Sequence, residues 1–447
     1  MAAAALPLIR GFRPGAPFAY RNRRAVAVEA FLRDAAQLAG MLPERRHILN
    51  LCADRYRFAV GFAAALLRGQ TSLLPPNETP DVLARLASQY TDAYCLHDLA
   101  AVPGSLPAMA FPDQLAAGAT ATAVPEVPAA QLAAIVFTSG STGQPVPHPK
   151  TWASLVGVAL AEIKILRLTE RQGMALIGTV PPQHVFGLEA TVLMVMQGGL
   201  ALHARRPFYP ADICAELAAL PRPRGLVIAP AHLRVLLSEP EALPAADFLL
   251  CATSPLSREL AAQAEARFGT HLHEIYGCTE SGGIASRRTV ATDEWRAMAG
   301  VTLRSRDAAT WVKGGHVQVE VPLADVIELR GGGRFLLHGR IADLVNIAGK
   351  RTSLAHLNYH LNSIEGVRDG VFVVPEQRGE AVSRLAAYVV APALSREALM
   401  KALRQRIDSA FLPRPLHFVE RLPRNETGKL PRQALAEVES ELAGKTG

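Results

Sequence analysis

The chain has 447 residues, 49% hydrophobic, 19% charged and 6% aromatic, which excludes a disordered or fibrous protein and allows two or three buried cores. Its net charge of +7 comes from basic residues spread along the chain; this argues against nucleic acid as a partner and leaves a mild attraction for anions. Five scattered cysteines with no C-x-x-C pair, no basic leader and no run of 18 apolar residues predict a cytoplasmic protein without a structural metal or a membrane span.

Residues 25–42 carry Val28, Phe31, Leu32, Ala35 and Leu38 at helical spacing. A short apolar run at 47–51 precedes a second helical pattern at 55–68, with Phe58, Phe62, Leu66 and Leu67. A strand at 71–74 stops at Pro75-Pro76, a helix at 79–90 begins Thr-Pro-Asp, and another strand follows at 93–96. Strand and helix alternating at this spacing predict a parallel sheet covered by helices. Residues 97–130, rich in Ala and Pro, read as a surface connection. The alternation resumes with helices at 152–166, 187–196, 210–220 and 257–268, and strands at 175–179, 200–203, 225–228, 248–252 and 271–275. From about residue 300 short β segments take over (317–321, 326–329, 335–338), with Gly331-Gly332-Gly333 as a turn. The last hundred residues form a small module, with helices at 353–363, 395–410 and 433–442 and strands at 371–374 and 386–390. The junction 339–342 is the candidate linker.

The stretch from Ile135 to Pro145 stands apart. Ile-Val-Phe runs into Thr138, Ser139, Gly140, Ser141, Thr142 and Gly143, so a strand delivers a loop of hydroxyls and unobstructed backbone N–H groups. Such a loop suits polyphosphate oxygens, since glycines let the backbone approach and hydroxyls add donors. It is not a Walker A loop, because no G-x-x-x-x-G-K-[ST] occurs. A solvated Gly/Ser linker is the ordinary alternative, against which the Pro-rich exit (Pro145, Pro147, Pro149) favours a shaped loop.

Further on, His184 follows Pro-Pro-Gln, and Tyr276-Gly277-Cys278-Thr279-Glu280 ends a strand. Asp325 follows Leu-Ala, Arg340 and Asp343 belong to Gly-Arg-Ile-Ala-Asp, and Lys429 closes Asn-Glu-Thr-Gly-Lys. Each alone has an ordinary structural explanation, and an exposed Arg–Asp pair is worth little. In unbroken order from about residue 130 to 432, however, FTSGSTGQP, P-x-x-H-x-x-G, YGCTE, Asp325 with Arg340 fifteen residues later, AGKR and NETGK resemble the adenylate-forming superfamily. Its members are acyl- and aryl-CoA synthetases, beetle luciferases and peptide-synthetase adenylation domains.

The resemblance implies an α/β fold. A large N-terminal adenylation domain, residues 1–340, has parallel sheets covered by helices plus a β-rich subdomain; a small mobile α+β lid, residues 341–447, carries the catalytic lysine. It implies ATP and Mg²⁺, and two half-reactions: a carboxylate attacks the α-phosphate to give acyl-AMP and pyrophosphate, then a thiol takes the acyl group. By matched position Thr138, Ser139, Gly140, Ser141, Thr142 and Gly143 cradle the β- and γ-phosphates. Lys429 brings its ammonium to the carboxylate and α-phosphate, Thr279 sits near that phosphate, and Glu280 holds Mg²⁺. Tyr276 with Gly277 receives adenine, while Asp325 and Arg340 take the ribose hydroxyls. His184 closes an acyl pocket walled by Val185, Phe186, Ile275, Gly282 and Gly283, and Ala342 and Asp343 occupy the hinge.

Three positions depart from the family pattern. Val146 replaces a frequent Lys, the next being Lys150; Leu323-Ala324-Asp325 replaces Thr-Gly-Asp; Ala342 replaces a hinge Asp or Lys. The N-terminal domain is also shorter than usual. FTSGSTGQPVPHPKTW, the compact length and residues 50–77 look most like short ligases of bacterial aryl-polyene and xanthomonadin-type pigment pathways. That implies a hydroxybenzoate-like acid loaded on the phosphopantetheine thiol of an acyl carrier protein. An aryl- or medium-chain acyl-CoA synthetase is the alternative, since positive charge suits CoA phosphates as well as an acidic carrier. A nucleotide-binding protein without turnover is the reading from another class; the intact set Thr279, Glu280, Asp325 and Lys429 counts against it.

Overall fold

A computed structural model of the chain describes residues 4–75, 77–99, 106–115, 123–139, 145–307, 309–340, 344–347, 350–374, 384–425, 430, 434–435 and 437–438. Two sheets enclose a shared layer of helices. The first has six strands in the order Pro145–Thr151, Leu132–Ser139, Thr71–Leu74, His47–Asn50, Ala93–His97 and Ala108–Ala110. Its pairings are parallel except the outermost, between Pro145–Thr151 and Leu132–Ser139. The second has eleven strands. Its middle, Ala201–His203, Ala175–Gly178, Arg224–Ile228, Phe248–Cys251 and Leu272–Cys278, is parallel. Antiparallel strands from Gly282–Arg287 to Asp325–Gly331 extend one side.

Helices Arg55–Leu67 and Trp152–Ile165 lie between the sheets and touch strands of both. Their sequences are apolar on nearly every side, as two buried faces require. Arg55, wholly buried, ties the layers together. Its guanidinium donates to the carbonyls of Gly178 and Val180, each at 2.9 Å, and of His203 at 3.1 Å. Asp54 caps the same helix by accepting from the Arg57 N–H at 3.0 Å.

The outer faces are covered in turn. Helix Pro80–Gln89 packs Leu83 and Leu86 over Leu49, Leu73, Ile135 and Phe137 of the first sheet. Helices Pro210–Ala219, Pro230–Leu237 and Arg258–Phe268 close the far face of the second over Ile177, Leu226 and Leu249. Each such buried Leu, Ile or Phe contributes about 1.5–3 kcal/mol. The α/β class and the large N-terminal part with mixed sheets therefore stand. C-terminal residues from Val345 to Leu416 surround a separate core of Leu357, Leu361, Phe372, Val389, Leu399 and Leu403. Contact with the larger part includes Arg234–Asp369 at 3.8 Å and the Ser353 hydroxyl donating to the His338 carbonyl at 3.0 Å.

Four details differ from the sequence expectation. The proline-rich exit at 145–149 is not a loop but the edge strand Pro145–Thr151. Prolines alternating along an edge leave their missing N–H on the unpaired side, so three are tolerated. Residues 97–130 hold two paired strands, Ala108–Ala110 and Glu126–Pro128, too short to show a period. The helix expected at 187–196 is Val185–Leu188, a π-helical turn Glu189–Leu193 and then Met194–Gly198. Helix Pro230–Leu237, with proline at its start, had no expectation at all. Most of 433–442 and the junction residues 341–342 lie outside the described residues. Among the described residues no helix is long and apolar enough to cross a membrane.

Candidate active site

Thr138, His184, Tyr276, Thr279 and Glu280 lie at or just past the carboxyl ends of strands Leu132–Ser139, Ala175–Gly178 and Leu272–Cys278, where open α/β sheets leave their ligand crevices, while Asp325 opens an antiparallel strand. Strand Leu272–Cys278 ends in the turn Thr279-Glu280-Ser281 and returns as Gly282–Arg287. Gly277 acts here through its lack of a side chain: a Cβ on it would fall 2.1 Å from the Gly282 carbonyl oxygen. Gly282 takes φ +73°, the left-handed region that favours glycine. This close pairing presents Thr279 and Glu280 at the rim, where Glu280 is exposed.

Glu280 faces the root of the glycine-hydroxyl loop. Antiparallel pairing of Leu132–Ser139 with Pro145–Thr151 sets Thr138 opposite Val146. Thr138 Oγ1 lies 3.0 Å from His148 Nε2, which in turn lies 3.6 Å from Glu280 Oε1. The Lys150 ammonium donates to the Glu280 carbonyl oxygen at 2.6 Å. Burial raises the Glu280 carboxyl, but its own backbone N–H, the Cys278 thiol, His148 and Lys150 outweigh it, and the pKa ends below the usual value. Burial lowers that of His148, against the pull of Glu280, so its ring is neutral at pH 7. Burial pushes the Cys278 thiol up to about 11, which makes it a donor and no nucleophile.

An ionised, exposed carboxylate beside Thr138 and His148 fits Mg²⁺, which takes few protein oxygens and several from phosphate or water. Among the described residues no three His, Cys, Asp or Glu side chains form a metal cage, and Mg²⁺ held this way needs none. His148 was not expected in the site. Its signal was the Pro-His-Pro-Lys alternation, which on a strand sends His148 and Lys150 to one face.

Tyr276 and Asp325 also meet: the phenol donates to Asp325 Oδ2 at 2.7 Å. Trp295 and Phe335 hold the tyrosine ring, with centroids at 5.5 and 5.8 Å. Register between Asp325–Gly331 and Arg334–Arg340 puts Arg340 directly opposite Asp325. Leu323-Ala324 in place of the usual dipeptide thus leaves the carboxylate on its strand, beside the aromatic ring.

Strand Ala175–Gly178 leads to His184, which caps the helix Val185–Leu188. Its Nδ1 accepts from the Phe186 N–H at 3.2 Å, orienting the ring at the mouth of the helical segment. Phe186 and Ile275 are buried and Val185 partly buried in one apolar cluster, and the helix packs against strand Gly282–Arg287. Gly187 must be glycine, for a Cβ would lie 1.9 Å from the Pro181 carbonyl oxygen. Gly140, Ser141, Thr142, Gly143, Ala342, Asp343 and Lys429 lie outside the described residues, as do the side chains of Ser139 and Arg340.

Comparison with known proteins decides what this geometry belongs to. Residues 42–309 match the family of the AMP-binding enzyme. The chain belongs to that family. Residues 361–429 of this AMP-binding enzyme match the family's C-terminal domain. A 4–coumarate–CoA ligase of Rhodobacter capsulatus is 30% identical over 300 residues, covering 66% of this chain and 74% of that one. The fold is shared with ATP-bound MatB of Rhodopseudomonas palustris, at TM-score 0.80, 19% identity and 97% coverage of each chain. It is shared too with the anthranilate CoA ligase AuaEII in complex with anthranoyl-AMP, at TM-score 0.79 and 14% identity over 98% of this chain and 99% of that one. The enzyme is therefore a member of the adenylate-forming acid–CoA ligase family, whose members use ATP.

Proposed function

We propose that this enzyme joins a hydroxybenzoate-like aromatic acid to the phosphopantetheine thiol of an acyl carrier protein through an acyl-AMP intermediate. The observation that carries the reading is the Thr138–His148–Glu280 group and the Tyr276–Asp325 pair, linked through Tyr276 to Glu280 at the end of strand Leu272–Cys278. A carboxylate oxygen of the acid attacks the α-phosphorus and pyrophosphate leaves; the thiol sulfur then attacks the acyl carbon and AMP leaves. Charge grows on phosphate oxygens in the first step, so fixed donors and cations aimed there lower its barrier. Thr138 and the loop beyond it supply donors, Asp325 and Tyr276 hold the ribose and adenine, and Lys429 draws the two anions together. Glu280 would hold Mg²⁺, which would supply neutralising charge to the phosphates. His184, oriented by its cap, sits beside the reacting carboxylate.

CoA as the acceptor is the second reading, favoured by the similarity to the 4-coumarate–CoA ligase and the anthranilate CoA ligase. ATP–pyrophosphate exchange with a panel of benzoates, cinnamates and fatty acids tests the first half-reaction. Exchange should depend on an aryl acid and vanish in Lys429→Ala; exchange unaltered in that variant removes Lys429 from the mechanism. Mass spectrometry of products formed with CoA and with a carrier protein separates the two acceptors.

A further inference from the structure

Lys150 is a buried cation that the mechanism above does not use. It is 8% exposed, on the edge strand Pro145–Thr151. Lysine is rarely buried this far, because taking an ammonium out of water is costly unless partners offset it. Among the described residues its one hydrogen bond runs to the Glu280 carbonyl oxygen, at 2.6 Å and across 130 residues of sequence. Burial lowers its pKa, against the pull of Glu189, Cys278 and Glu280. Lys150 lines a cleft of about 90 Å³ with Glu189, Glu280 and Ser281.

The bond to Glu280 joins the two sheets. Its donor stands on the six-stranded sheet, and its acceptor lies in the turn Thr279-Glu280-Ser281 of the eleven-stranded one. Bonds inside the turn, from the Cys278 N–H to Ser281 Oγ at 3.4 Å and from the Ser281 hydroxyl to the Gly282 carbonyl at 2.8 Å, fix its shape. They do not tie it to the strand beside Thr138. Lys150 does, together with His148, which lies 3.6 Å from Glu280 Oε1. Both come from one face of a strand in which Pro145, Pro147 and Pro149 alternate with them, and each proline ring locks its own φ. Beyond that strand Thr151 caps the helix Trp152–Ile165, accepting from the Ser154 N–H at 3.1 Å. The strand is thus a stiff arm, anchored at its far end.

We infer that Lys150 is a positioning residue: by holding the Glu280 carbonyl it keeps the carboxylate of the same residue in place to bind Mg²⁺ beside the phosphates. An apolar side chain of similar length would fill the space without the desolvation, and would leave the turn free to shift. The inference rests on the reading of Glu280 as the Mg²⁺ ligand.

Isothermal titration calorimetry of ATP on the full chain, in Mg²⁺ and in EDTA, tests it without any acid. Lys150→Met should raise Kd for ATP about 10-fold in Mg²⁺, as loss of one hydrogen bond from a charged donor does, and less than about 2-fold in EDTA. Its melting temperature should stay within about 3 °C of wild type, since replacing a buried ion by a packed apolar side chain is often neutral. In a Glu280→Gln background the same substitution should change Kd in Mg²⁺ less than about 2-fold, because residues that act through one group are not additive. An unchanged Kd in Mg²⁺, equal weakening in Mg²⁺ and in EDTA, additive losses in the double variant, or a larger fall in melting temperature each overturns the inference, and the last three make Lys150 a structural residue. A Mg²⁺ effect on ATP binding that persists in full in Glu280→Gln alone overturns the reading of Glu280 itself, and this inference with it.

Discussion

The two ends of the cleft are built on opposite terms. Around Glu280 and Tyr276 polar groups already have protein partners: Thr138 with His148, Lys150 with the Glu280 carbonyl, Tyr276 with Asp325. Deeper between the layers Glu162 is fully buried, and neither of its carboxyl oxygens has a hydrogen-bond partner. Groups held by one another keep their geometry before a ligand arrives, which is what electrostatic stabilisation of a transition state requires. Groups left open depend on a ligand of matching polarity.

Changes at the two ends should therefore fail differently. The largest effect belongs to Glu280→Gln, which keeps the shape and removes the charge: exchange should fall about 100-fold, near 2.7 kcal/mol, by the same factor for every acid. Unequal factors for a hydroxylated and an unsubstituted acid would merge the two ends into one. Gly283→Ala forces a Cβ toward Glu162, a clash worth about 1–3 kcal/mol. Its signature is a shift of roughly 10-fold in the ratio between acids, with KM for ATP little changed, read from exchange kinetics. Tyr276→Phe removes the 2.7 Å bond to Asp325, worth about 1 kcal/mol, and should raise KM for ATP about five-fold without altering the ratio between acids.

The smallest effect is one of pH. Glu189 has an ordinary value of 4.5 when unfolded and about 7 when folded, so between these the native state holds the proton more tightly. Stability from this group is complete below pH 4.5, falls as pH rises toward 7 and levels above it. Denaturant titrations of wild type and Glu189→Gln should show the difference between them moving in favour of the variant from pH 5 to pH 8. A constant difference would mean that Glu189 is already ionised at pH 5.

Much of this was legible in the order of the residues. Alternating strands and helices in the first three hundred residues gave the layered α/β class, because apolar periodicity is a local signal of which face is buried. YGCTE and Asp325 were visible only through the order they share with the family's motifs, since each alone has an ordinary structural explanation. Less local features escaped. Strand Pro145–Thr151 looked like a loop because prolines mask strand propensity, and only its place at a sheet edge makes them harmless. His148 was lost with it.

What the chain by itself determined is the family: the residue types of its motifs and their sequence order, since each short motif shapes its own turn. What only the tertiary structure decided is which distant groups share a space. Glu162 and Glu189 come from different helices and read as ordinary charged positions until both are seen pressed against Gly282 and Gly283. Burial and the clearance around a missing Cβ arise from packing between layers, and no local pattern encodes them.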